Sequence, residues 1–163
     1  MIEVGNRVFH MATKDFKKSA NLGVFGERVE LSLFDNAVKS APIVKHLFTP
    51  TSLIQFQLIL KKILKDPDAQ PIKITSQPMN RELKVREFKS SVTVGRDEEK
   101  CIYFELVGEK HKDPVRVYLN TDNSYMIQDM ELPLRSLTEA GCQAIIDFIP
   151  SLGLAAISAY GNR

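Results

Sequence analysis

KDFKKSAN (residues 14–21) and REFKSSVT (86–93) follow one pattern: a base, an acid, Phe-Lys, a Lys or Ser, then Ser. Phe88 follows Phe16 by 72 positions. Other landmarks recur in the same order. The alternating triplet Val29, Leu31 and Leu33 is matched by Ile102, Phe104 and Leu106 at an offset of 73. Ser52-Leu53 is matched by Ser136-Leu137 at 84, each pair shortly after a proline. Three ordered matches read as a duplication, and a unit of this length used twice gives a pseudo-dimer rather than a solenoid. The offset grows by 12 along the unit, so the first copy is expected to be shorter in NAVKSAPIV (36–44), between its middle and last strands.

Hydrophobic periodicity supplies the elements of each copy. In the second, ELKVREF (82–88) alternates as a strand and SVTV (91–94) continues in extended sequence. GRDEE (95–99) reads as a turn, and KCIYFELVG (100–108) as a strand with Ile102, Phe104 and Leu106 on one face. VRVYLN (115–120) and YMIQDMEL (125–132) are further strands, separated by an Asn/Asp-rich turn. A helix follows over 133–150. Ser136 is its expected N-cap, Glu139 completes a capping box, and Pro150 is the expected stop. Its apolar stripe is Leu137, Ala140, Ala144, Ile145 and Phe148. In the first copy, 7–16, 20–26, 27–35 and 43–48 read as extended. The helix within 49–68 has the stripe Leu53, Phe56, Ile59, Leu60, Ile63 and Leu64 and ends before Pro67. The expected fold is α+β: two ββββα repeats, antiparallel sheets with a helix after each, packed as a pseudo-dimer. One domain over 1–163 holds both, at about 5–68 and 71–150, with a C-terminal tail at 151–163. The tail is expected to pack into an oligomer interface or over a sheet edge, the alternative being that it covers its own core.

This layout resembles the transcriptional coactivator family of positive cofactor four, whose unit is four strands and a helix. A strand of that family reads roughly V-x-V-R-D-F-K, and LKVREFKS (83–90) is similar to it. MATKDFKKS (11–19) keeps the acid-Phe-Lys core. The Whirly proteins place two such units in one chain, and their helix entry, L-S-x-x-E, resembles LRSLTEAG (134–141). The resemblance implies single-stranded DNA binding along the sheet faces by a dimer or higher oligomer.

Such binding needs cations to follow the phosphates and aromatic faces on which bases stack. The first copy offers Lys14, Phe16, Lys17 and Lys18. The second offers Arg86, Phe88 and Lys89, with Lys84 on the Arg86 side of its strand. Arg116 and Tyr118 alternate against Val115 and Val117, and Tyr103 alternates against Ile102 and Phe104. The plainer reading is that the two phenylalanines are core anchors and the cations a solvated face. The expected function is non-catalytic binding of single-stranded DNA in replication, recombination or transcription. RNA binding, or a protein-assembly role without nucleic acid, are the alternatives.

Composition bounds the rest. A 44% hydrophobic and 26% charged chain is globular in character, and its net charge of +2 neither requires nor excludes an anionic partner. Cys101 and Cys142 lack paired spacing, which argues for free buried thiols and an intracellular setting, in cytoplasm or nucleoid, with a viral or organellar origin open. His10, His46 and His111 lie far apart and have no ligand spacing, and His46 reads as a surface or satisfied histidine. No phosphate-binding glycine motif is present, so no metal, cofactor or catalytic residue is assigned. Asp97, Glu98 and Glu99 read as a charged hairpin turn. No uninterrupted apolar run approaches a membrane span, and no membrane partner is expected.

Overall fold

The computed structural model describes residues 7–38, 41–119 and 133–161. The chain begins with four strands, β1 (Arg7–Ala12), β2 (Lys18–Phe25), β3 (Arg28–Asp35) and β4 (Val44–Phe48). They pair antiparallel in the order β1-β2-β3-β4. Gly26, at φ 63, gives the β2–β3 hairpin the positive φ its two-residue turn needs. Helix α1 (Pro50–Lys65) follows. Thr49 and Ser52 cap it reciprocally, and Lys62 and Lys65 sit in its last turn, where the helix dipole favours cations.

The second sheet consists of β5 (Ile72–Ser76), β8 (Ser90–Arg96), β9 (Ile102–Gly108) and β10 (Val115–Val117), in the order β10-β9-β8-β5. Between β5 and β8 the chain makes a small ribbon from β6 (Met79–Asn80) and β7 (Val85–Arg86). The segment 82–88 is therefore not one strand: Lys84 lies in the ribbon turn at φ 55. The sheet's outer strand is instead β5, which the sequence reading left unassigned. Residues 125–132, read as a strand, lie outside the described residues. The β3–β4 link spans 36–43 and the β9–β10 link 109–114, so the first is not the shorter of the two.

That helix, α2 (Leu134–Gly161), differs from expectation at both ends. It begins right after Pro133, whose carbonyl accepts from the Leu137 amide at 3.2 Å, so Ser136 lies inside it and is not its N-cap. Glu139 pairs with Arg96 and Arg135 instead of closing a capping box. Pro150 does not stop the helix, and the tail continues it. A proline leaves the carbonyl four residues earlier without its amide partner. Here that carbonyl belongs to Ile146, and the Gln57 side chain of α1 donates to it at 3.0 Å. Gln57→Ala is expected to cost about 1–2 kcal/mol, as a part-buried acceptor left unpaired does. In a Pro150→Ala background the same change should cost less than half as much. Urea denaturation of the four proteins of this cycle checks it; equal costs in both backgrounds would show that Gln57 acts elsewhere.

The buried stripe of α2 is Cys142, Ile145, Ile146, Ile149, Leu152 and Ala156. Ala140 and Phe148, expected inside, are exposed. Phe148 meets Phe9 edge-on, with ring centroids 5.7 Å apart. By length and composition the stretch Leu134–Ser158 is enough to cross a membrane. Its stripe instead packs in the core.

One core joins everything. Leu22, Leu31 and Leu33 from the first sheet, Val92, Phe104, Leu106 and Val117 from the second, and Phe56, Leu60 and Ile63 of α1 belong to one buried cluster. The sheets also join through backbone: Ala12 and Tyr118 exchange two hydrogen bonds, 2.9 and 3.3 Å, linking the β1 and β10 edges. Past that bridge, a Cβ at Gly141 would stand 2.5 Å from the Leu119 carbonyl oxygen. Only glycine allows α2 to pass so close.

Candidate nucleic-acid interface

The eleven residues singled out in sequence fall into two groups, at opposite ends of β8. A seven-residue strand separates its ends by about 20 Å.

The first group is a basic and aromatic patch on the outer face of the second sheet. It begins with a missing side chain. Gly95 lies opposite Tyr103, and the Tyr103 hydroxyl and ring stand where a Cβ of residue 95 would go. The phenol therefore lies flat on the sheet. Arg116 covers its other side, with the guanidinium carbon 3.9 Å from the ring centroid. Glu105, paired across the strands with Arg116, fixes the guanidinium through a 2.8 Å ion pair. Next along the face Tyr118 donates its hydroxyl to Asp97 at 3.1 Å, and Lys14 sits 5.2 Å from the Tyr118 ring. Burial and the Asp97 bond push the Tyr118 phenol up to about 12. For Asp97 burial alone would raise the carboxyl; bonds from the Cys101 amide, Tyr118 and Lys14 outweigh it and hold the group below its usual range. Lys14 closes the patch by pairing with Asp97 at 3.4 Å.

Tyr103 and Tyr118 are thus 2% and 5% exposed, sealed with Cys101 in a small cluster of their own. Neither offers an open ring face. What the patch presents to solvent is the Arg116 guanidinium, Lys14 and the β1–β2 turn. Phe16 is 59% exposed in that turn. Its amide bonds the Thr13 carbonyl at 3.0 Å, and its φ is 58, a conformation a bulky side chain rarely adopts. Asp15 accepts from the Lys17 amide and the Thr13 hydroxyl, which holds its carboxyl below the usual range. Lys17 is exposed and Lys18 half-buried.

The second group is Lys84, Arg86, Phe88 and Lys89. Lys84 and Arg86 are exposed on the ribbon, not side by side on a strand, and Arg86 donates to the Gln77 carbonyl at 3.0 Å. Phe88 is half-buried. Lys89 pairs with Glu109 at 3.3 Å. Phe16 and Phe88 each stand two residues before the second strand of their sheet, yet only Phe16 presents its ring.

Residues 97–101 form the expected charged turn. The Asp97 carboxylate accepts from the Glu99 and Cys101 amides, and Lys100 takes φ 66. No group of three or more metal-type ligands occurs among the described residues. His46 is buried and shares a 2.8 Å hydrogen bond with Ser90. That is the spacing of a base and a nucleophile, but burial lowers the imidazole to about 4, which makes it a weak base near neutrality. Sequence reading missed Arg96, whose side chain binds both helices from beneath the patch. A lone arginine in a β-branched strand carries no local sign of that role. Compared with protein-family models, curated proteins and solved structures, the chain matches none.

Proposed function

We propose that the protein is a non-catalytic binder of single-stranded DNA, acting as an accessory in replication, recombination or transcription. The observation that carries this reading is Phe16. An exposed phenyl contributes little to the fold, and a left-handed backbone at a bulky residue costs about 1–2 kcal/mol. A residue unfavourable to folding on both counts is well explained by a use outside the fold. With Lys14 and Lys17 beside it in the chain, and Lys14 reaching the Tyr118 ring next to Arg116, it supplies the stacking surface and cations that a single strand requires. Arg116 can itself stack a base, as guanidinium planes do.

In this reading the chain is two ββββα units forming a pseudo-dimer. Support comes from the element order: β1-β2-β3-β4 then α1, and β5-β8-β9-β10 then α2, each sheet a meander. The ribbon is an insertion in the second unit. Exposed Ile54 and Leu58 on α1, with Leu154 and Ile157 on α2, support self-association through the helices. A Leu154→Glu, Ile157→Glu double variant is expected to have a lower mass by light scattering than the parent at equal concentration. If both have the mass of one chain, the oligomer is rejected.

The binding test is titration of fluorescent oligo-dT at two salt concentrations, with Phe16→Asn alongside. Asparagine tolerates positive φ, so stability is expected to hold or rise. Losing one stacked base costs about 1–3 kcal/mol, which is roughly a fivefold to 150-fold loss of affinity. Binding should weaken steeply with salt as counterions are released. No binding to oligo-dT or oligo-U at low salt would falsify the reading.

A further inference from the structure

An antiparallel sheet is open to other strands along its edges. The β1 and β10 edges are bridged to each other at Ala12 and Tyr118. The other two edges, β4 and β5, carry no further strand on their outer sides among the described residues. They border one groove. Its inner part, about 270 Å³, is lined by His46 and Leu47 of β4 and by Ile74, Thr75 and Ser76 of β5. It continues along β4 into a cleft of about 480 Å³ that shares Leu47, Thr49, Ser76 and Pro78 with it. The outer cleft runs past Ile43, Val44 and Lys45 towards Lys89, Ser90 and Gly108.

We propose that this groove binds an extended segment of a partner protein, rich in acidic and aliphatic residues, which adds to the first sheet as a strand along β4. The partner's chemistry follows from the lining. Lys45, Lys89 and Lys110 line the outer cleft against one carboxylate, Glu109. Lys45 is loosely engaged, 3.9 Å from Glu30; Lys89 pairs with Glu109 at 3.3 Å, which leaves Lys45 and Lys110 as the surplus cations, and the Lys45 and Lys89 side chains are about half exposed. Aliphatic walls from Ile43, Val44 and Leu47 suit the alternate side chains of an added strand, while main-chain bonds supply affinity. Five residues of β4 extend about 17 Å, which accommodates a segment of five or six residues. Nucleic acid fits less well. A single strand needs stacking faces, and the ring lining the groove, His46, is buried and bonded to Ser90. The groove is separate from the Phe16 patch, so this proposal stands or falls apart from the DNA-binding reading.

The test is selection of a displayed random hexapeptide library against the full chain, followed by amide chemical-shift mapping of the enriched peptides. Enriched sequences are expected to alternate Asp or Glu with aliphatic residues and to shift the amides of 44–48. Methylating alternate backbone nitrogens, in either register, should weaken the best peptide about tenfold or more in one register only, as lost strand pairing requires. A Lys45→Glu, Lys110→Glu variant should lose a similar factor while keeping its affinity for oligo-dT. The proposal is overturned if no acidic-aliphatic sequence is enriched, if the shifts fall elsewhere, or if neither methylated register weakens binding. It is also overturned if oligo-dT displaces the peptide and binds the lysine variant more weakly, which would assign the groove to nucleic acid.

Discussion

Replacing Arg96 by Met is expected to lower the stability of the protein by about 3–5 kcal/mol, the loss that follows when a buried charged network loses its centre. The side chain is 3% exposed and donates to four acceptors. Nε and Nη2 reach the carbonyls of Ile63 and Leu64, which end α1, at 3.2 Å. Nη1 reaches the Lys100 carbonyl at 2.8 Å, and Nη2 also meets the Glu139 carboxylate of α2 at 2.9 Å. One guanidinium therefore caps one helix, ties it to the next and fixes the β8–β9 turn. Lysine in its place has a single ammonium and cannot span these acceptors, so Arg96→Lys should recover less than half of the loss. Glu139→Gln should cost only about 1 kcal/mol, because that carboxylate keeps partial access to water and its ion pair is screened there. Urea denaturation of the three variants checks the order. A loss below about 1 kcal/mol for Arg96→Met would show that the helices hold their places without it.

Acidification should destabilise the fold through His46. Burial lowers its pKa from 6.5 to about 4. Between those values the unfolded chain binds a proton that the folded chain does not, so stability rises with pH across the window. The contribution is fully present above pH 6.5 and is lost as pH falls towards 4. The whole shift corresponds to about 3 kcal/mol, of which about 2 kcal/mol is gone by pH 5. Other groups titrate as well, so the readout is the difference between the protein and His46→Gln, which keeps a hydrogen-bonding group beside Ser90 without titrating. That difference should change by about 2 kcal/mol between pH 7 and 5. A constant difference would place the pH dependence elsewhere.

Strands with one apolar face were legible in the sequence. Val29, Leu31 and Leu33 alternate in β3, and Ile102, Phe104 and Leu106 do so in β9. The α1 helix was legible from its apolar stripe and its proline-flanked ends. The misses share a cause: local signals were overridden by contacts distant in sequence. Strand β5 has a weak alternation, with Ile72 and Ile74 only half-buried, and owes its existence to pairing with β8. Pro150 is a stop signal that Gln57 of another helix cancels. Glu139 matches a capping box, but Arg96 claims it. At the candidate interface, residue types were readable and exposure was not. Tyr103 and Tyr118 alternate like surface residues, yet Gly95, Arg116 and Lys14 enclose them. Phe16 read equally as a stacking residue and as a core anchor, and the turn that turns it outward depends on Thr13 and Asp15 bonding the backbone.

The bridge between Ala12 and Tyr118 also bears on how the chain finds its shape. Among the described residues every other backbone pairing of strands joins neighbours in the meander, and such hairpins close within microseconds because little chain must be gathered. The bridge closes a loop of more than a hundred residues, and that entropic cost must be met before any of its bonds form. Both sheets are therefore expected to assemble early and to dock late. Neither half can then release the other without breaking this closure, so the two should melt in one step. The amide protons of Ala12 and Tyr118 become the clock for that last event: in pulse-labelled refolding they should gain protection after those of β2 and β3.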